Sequence, residues 1–294
     1  MKRLIYIYLA IPAVLASCTA PIDIETRNSE PVIVIYGCLT DYPSNQRISI
    51  SASSPYFDIE PNTPVSDAVV TIYSSEDKTF TLRESPYENG VYLTTEIMSA
   101  EPGISYTLSV ETDFNGDGVA EIYTAETVMP QYAELDSVRV NDINIMGFRH
   151  FALNIFMQDE PQSADYYLAR FIVNDTLETR HITDYIIFSD EGINGQYLND
   201  ITLWYFDDKD NDNPYAESMN IDTTFYVRSG DRIALLFSRI ERGYYDFVNQ
   251  CQREKNGENP FFGGPASNID TNIRGGGVGY FSAYGTIRRD VVVP

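Results

Sequence analysis

Ile104-Ser105-Tyr106-Thr107-Leu108-Ser109-Val110-Glu111 (ISYTLSVE) places an apolar side chain at every even position and a polar one at every odd position. A strand turns successive side chains to opposite faces. This period of two therefore puts Ile104, Tyr106, Leu108 and Val110 on a covered face and Ser105, Thr107, Ser109 and Glu111 in water. On a helix the same four apolar residues would be spread around the axis.

The pattern extends in both directions. Downstream, EIYTAETV (121–128) pairs back across the loop TDFNGDGVA. Upstream, AVVTIYS (68–74) and TFTLRE (79–84) flank the turn SED as a hairpin, and RISIS (47–51) sets Ile48 and Ile50 on one face. VIVIYGCLTD (32–41) is a continuous apolar run suited to a central strand. Short strands separated by Gly, Pro, Asn and Asp predict a β-sandwich of immunoglobulin-like or transthyretin-like size over residues 32–130. MPQYAEL (129–135) breaks the rhythm and marks the junction to a second β-rich domain over 131–294. Its predicted strands are LDSVRVN, RHFALNIFMQD, DYYLARFIVND, TRHITDYIIFSD, ITLWYFDD, TTFYVRS, DRIALLFSR and a closing GYFSAYGTIRRDVVV. In FALNIFM, Phe151, Leu153, Ile155 and Met157 share a face. Only one segment changes period: Ile240, Tyr244, Phe247, Val248 and Cys251 form an apolar stripe at helical spacing, predicting a helix over 240–254 with Gly257 as its stop. The fold class is mostly β, two β-sandwich modules with one amphipathic helix near the C-terminus. The 22 tyrosines and 15 phenylalanines agree with sheet.

The N-terminus carries an address. Lys2 and Arg3 precede an apolar run from Leu4 to Ala16, too short to span a bilayer core of ~20 residues and suited to the core of a cleavable signal. Leu15-Ala16-Ser17 then leads into Cys18 and resembles a bacterial lipobox, in which the cysteine sulfur receives diacylglycerol. Residues 1–17 are thus read as a lipoprotein signal peptide and 18–31, polar and aperiodic, as a lipidated tether. Thr19, not an acid, follows Cys18, as in lipoproteins sorted to the outer membrane. Removing Lys2 and Arg3 with the leader takes the formal charge from −23 to −25. Such a body has no basic face for phosphates, which excludes nucleic acid as a partner, and leaves the acyl chains as the membrane attachment. Cys38 and Cys251 could form one bridge, but their places on apolar faces read as two buried thiols.

Several motifs fall in a recognisable order: the strand ending GCLTD, the hairpin PVSDAVVTI, ENGVY before PGISYTLSV, the junction MP with LDSV beyond it, and an ending in NPF, NI, GG and GYFSAY. Together they resemble domain-of-unknown-function family 4249 over nearly the whole mature chain. The resemblance implies a Bacteroidetes-type outer-membrane lipoprotein, surface-exposed or periplasm-facing, accessory to a TonB-dependent transporter or its surface lipoproteins. It brings no catalytic residues with it.

Two loops could hold a hard cation. In DFNGDGVAE, Asp113, Asn115, Asp117 and Glu121 stand at positions one, three, five and nine of a calcium loop, with Gly118 at six and Thr124 in place of the usual twelfth-position glutamate. The same residues suit a plain hairpin turn. DDKDNDN (207–213) alternates Asp208, Asp210 and Asp212 without a glycine. No nucleophile elbow occurs, and the only two histidines, His150 and His181, lie far apart in strand patterns. Trp204, Tyr205, Phe206, Tyr280, Phe281 and Tyr284 read as packing residues. The expectation is a non-enzymatic accessory or ligand-binding lipoprotein; the alternative is a cell-envelope enzyme acting on glycans or peptides.

Overall fold

A computed structural model describes residues 31–53, 62–161, 163–210, 225–256 and 269–294. The leader with Cys18, most of the tether, Asp212 and Gly257 lie outside the described residues. In chain order the strands are β1 (Ile33–Thr40), β2 (Arg47–Ala52), β3 (Thr63–Pro64), β4 (Val69–Ser74), β5 (Thr79–Glu84), β6 (Val91–Thr94), β7 (Ser105–Thr112) and β8 (Glu121–Val128). Then come β9 (Glu134–Ile145), β10 (Phe148–Gln158), β11 (Tyr166–Val173), β12 (Thr176–Leu177), β13 (Ile186–Ser189), β14 (Tyr197–Asp208), β15 (Tyr226–Val227) and β16 (Arg232–Ile240). Helix α1 (Arg242–Asn256), β17 (Val278–Tyr284) and β18 (Ile287–Val292) complete the chain. Among the described residues the fold is mostly β with one α-helix near the C-terminus.

The N-terminal sheet runs β17-β1-β2-β6-β5-β4-β7-β8, with β3 on β2. It curls until its two ends meet: the Asn272 amide donates to the carbonyl of Glu126 on β8 at 3.1 Å and to that of Phe281 on β17 at 2.7 Å. The even residues of ISYTLSVE behave as the alternation demands. Tyr106, Leu108 and Val110 are buried against Ile35, Ile48 and Ile72, with Ile104 packed at the margin. β4 and β5 form the expected hairpin.

In the second sandwich a four-stranded sheet, β15-β14-β10-β9, faces a sheet of β12-β11-β16-β18 with β13 also on β11. Phe151, Leu153, Ile155 and Met157 from β10 meet Phe171 from β11 and Leu235 and Phe237 from β16 in one core. Helix α1 covers the far side of β11 and β16. Tyr244, Phe247 and Val248 pack on Leu168, Tyr280 and Tyr284, with Tyr36 and Cys38 alongside. The helix begins two residues later than its apolar stripe because Ile240 still pairs with Tyr166 in the sheet.

Three expectations need correction. GYFSAYGTIRRDVVV is not one strand. Buried on both faces, β17 pairs parallel with β1; after Gly285, β18 alternates and pairs antiparallel with β16. A Cβ at Gly285 would stand 2.3 Å from the Tyr132 ring and 2.7 Å from the Met129 methyl, so the crossing between sheets passes tightly under these two side chains, which would have to move for any larger residue. The segment 131–294 is consequently not confined to the second sandwich, since β17 completes the N-terminal sheet. TRHITDYIIFSD supplies only β13, after a single 3₁₀ turn at Ile182–Asp184. Cys38 and Cys251 are unbridged, as expected.

Candidate functional site

Three strand ends converge at one margin of the second sandwich. β10 runs out into Asp159, β13 into Asp190, and Asp165 leads into β11. The pairing of Tyr166 with Ser189 puts Asp165 and Asp190 side by side, and the Asp190 amide donates to the Asp165 carbonyl at 3.0 Å, one step past the ladder. From the facing sheet, the Asp159 amide donates to the carbonyl of Gln196 at 3.1 Å, just before β14. The result gathers one carboxylate oxygen from each of Asp159, Asp165 and Asp190 within 4.8 Å of one another. All three residues are buried, at 0, 5 and 4 % exposure.

The partners of these carboxylates are unequal. Asp159 accepts from the Tyr167 hydroxyl at 2.7 Å and the Gly195 amide at 2.8 Å. The first contact ties the two sheets together, because Tyr167 lies on β11. Gly195 takes a positive φ of 73° in this turn and would bring a Cβ to 3.0 Å from Pro161. Asp165 accepts from Arg239 at 2.7 Å and from Ser163 at 3.1 Å, while Arg239 also reaches Glu160 at 3.0 Å. Oδ2 of Asp190 meets no hydrogen-bond partner, nor does Nε of Arg239. Burial raises the Asp165 carboxyl above the usual carboxylate range, opposed by Arg239 and reinforced by the other two acids. Burial and the bond to Asp159 likewise raise the Tyr167 phenol, so it stays a donor.

Asp190 also borders a hollow of about 450 Å³. Glu191, Gly192 and Asn194 form one rim, Arg242 and Asp246 from the first turns of α1 another. Tyr166 and Tyr245, their ring centroids 5.0 Å apart, line it as well. Carboxylates, an amide, a guanidinium and phenol rings are groups that hydrogen-bond and stack on a polar ligand.

The residues singled out in the sequence are placed elsewhere. Asp113, Asn115 and Asp117 hold their own hairpin turn between β7 and β8, accepting from the amides of Gly118, Asp117 and Val119 at 2.8–3.0 Å, while Glu121 accepts from Phe114 at 2.9 Å. Among the described residues, the acids gathered for a metal are the three above and not these. Asp208 accepts from the amide of Asp210, which pairs with Arg228. His150 lies between Asp207 and the Phe148 carbonyl, and His181 opens the 3₁₀ turn. Phe206, Tyr280, Phe281 and Tyr284 are core residues, Trp204 packs against the core, and Tyr205 is half exposed. Nothing local in the sequence marks Asp159, Asp165 and Asp190, whose meeting depends on strand pairing.

The family model described as Domain of unknown function (DUF4249) matches residues 19–289. Among curated proteins none matches. A solved structure, of a DUF4785 family protein from Legionella pneumophila, is similar over 76% of this chain at 10% sequence identity and a TM-score of 0.25. The chain spans about half the length of that protein, 56% of it, and a likeness this slight carries no argument.

Proposed function

The chain belongs to the family of that model, and from this premise we propose a lipid-anchored outer-membrane lipoprotein that binds rather than transforms its ligand, as an accessory component of a TonB-dependent nutrient-uptake system. The observation that carries the reading is Leu15-Ala16-Ser17-Cys18 behind a basic start and a short apolar run. A body of formal charge −25 gains nothing from an anionic bilayer surface, which supports acyl chains on Cys18 as the attachment. The hollow between α1 and the Asp190–Gln196 loop supports binding, since its lining groups hydrogen-bond and stack. The order of motifs from GCLTD to GYFSAY supports the accessory role, with a transporter or its surface lipoproteins as partner.

The test uses the full chain expressed with its leader in a Gram-negative envelope. Mass spectrometry of the mature N-terminus is expected to find Cys18 bearing acyl chains, and detergent extraction of the outer membrane is expected to recover the chain with a transporter. An uncut leader, or a processed Cys18 without acyl mass, refutes the anchor. An acylated chain that elutes alone after cross-linking refutes the accessory role.

A further inference from the structure

The carboxylates of Asp159, Asp165 and Asp190 carry three formal negative charges, and the guanidinium that faces them, Arg239, carries one positive charge. Burying an uncompensated charge is costly, and a buried carboxylate oxygen without any donor is costlier still. Here that oxygen is Oδ2 of Asp190, in a residue 4 % exposed, beside two other acids. We propose that Asp159, Asp165 and Asp190 bind a divalent cation of the calcium class, whose two positive charges offset the negative charge that Arg239, itself shared with the exposed Glu160, leaves uncompensated.

The donor set decides the class. It is all oxygen, with no histidine or cysteine, which suits a hard cation over zinc or copper. Three oxygens ~4.0–4.5 Å apart share a centre ~2.3–2.6 Å from each, so a cluster already held within 4.8 Å needs only a small closure to grip one ion. Magnesium binds at ~2.0–2.1 Å and keeps several waters, a poor match to three buried side chains. Lone pairs remain for the ion: each Asp159 oxygen accepts one bond and has a second site, and Oδ2 of Asp190 accepts none. Because Asp190 is shared with the hollow, the ion would brace the Asp190–Gln196 loop that forms its rim. This inference is independent of the lipoprotein reading.

The test takes the full chain in detergent, stripped with a chelator and then given calcium, magnesium or sodium chloride at matched ionic strength. Calcium at ~100 times its Kd is expected to raise the thermal midpoint by roughly 5–10 °C, with one ion per chain by calorimetry and Kd on the order of 10⁻⁴–10⁻³ M, as in extracellular modules. Asp190→Asn is expected to weaken binding at least tenfold and cut the rise by about half or more, and Asp117→Asn, in the β7–β8 turn, to leave both unchanged. No calcium heat and no shift in the stripped wild type overturn the proposal. So does an equal shift with magnesium, or a calcium response lost in Asp117→Asn and kept in Asp190→Asn. Should Asp190→Asn fail to fold, Asp165→Asn takes its place with the same expected loss, and the wild-type calorimetry decides by itself whether an ion binds.

Discussion

Replacing Gly279 by alanine tests whether β17 staples the two halves of the chain together. Gly279 faces Ile35 in the parallel pairing of β17 with β1, at a φ of +109°. A Cβ there would stand 2.1 Å from the Ile35 carbonyl oxygen and 2.9 Å from its carbon. Backbone cannot rotate away as a side chain can, so the strands must part by about 1 Å to restore an ordinary C···O contact of ~3.3 Å. Gly276 is the control, because its φ is +90° and nothing lies within 4 Å of its Cβ position. Holding alanine at positive φ costs ~1–2 kcal/mol, and the stiffer unfolded chain offsets ~0.4–1 kcal/mol of that. Gly276→Ala should therefore lose about 1 kcal/mol. Gly279→Ala carries the same strain and also weakens two or more ladder hydrogen bonds at ~1 kcal/mol each, for a loss of about 3–4 kcal/mol. Urea unfolding followed by far-UV circular dichroism and by fluorescence of Trp204, which packs on the core of the second sandwich, measures both variants. A Gly279→Ala loss within ~0.5 kcal/mol of that of Gly276→Ala would refute the reasoning, because the close approach to Ile35 would then cost nothing.

Phe171→Ala should destabilise by ~3–5 kcal/mol, since its ring is fully buried and lies 5.2 Å from Phe206 and 6.1 Å from Phe225; a urea midpoint close to wild type would contradict that packing. The buried Asp165 should make the ion-free protein gain stability as pH falls through the range between its raised folded pKa and the unfolded value of ~4. Desolvation raises Asp165 in the folded state, so between the folded and unfolded pKa values the native chain binds more protons, and stability drops as pH climbs through that window. Arg239, Asp159, Asp190, Glu160 and Tyr167 all bear on the effect, which thermal melts across pH in chelator would measure; melts that only worsen on acidification through this window count against it. Calcium affinity should weaken over the same range as protons compete. Cys38 should resist alkylation in the native chain and react after denaturation, because burial pushes its thiol up and its Sγ lies 3.3 Å from Tyr244 Oη; peptide mapping that finds it labelled in the native state would refute this.

The legible parts of the fold are those where one residue's neighbours in sequence are also its structural context. Alternation in ISYTLSVE survived intact, because a strand with one covered face needs only its own period to say which side is inside, and Phe151, Leu153, Ile155 and Met157 of FALNIFM share the core face although Ala152 and Asn154 between them are buried as well. The stripe from Tyr244 to Cys251 did likewise for α1. The tail GYFSAYGTIRRDVVV misled because β17 is covered on both faces and so has no alternation to contrast with β18. DFNGDGVAE has the spacing of a calcium loop, yet its side chains cap the amides of their own turn, a use that short polar residues at hairpin tips share with ion binding.

By itself the sequence determined that this chain is sheet-rich, strongly acidic and begins with a short apolar run ending at Cys18, since period, charge and apolar content are local properties. Only the tertiary structure decided that β17 returns to the first sheet and that Asp159, Asp165 and Asp190 share one buried place. Strand pairing sets those distances across loops and between facing sheets, and no local pattern of residue types encodes which strand ends will meet.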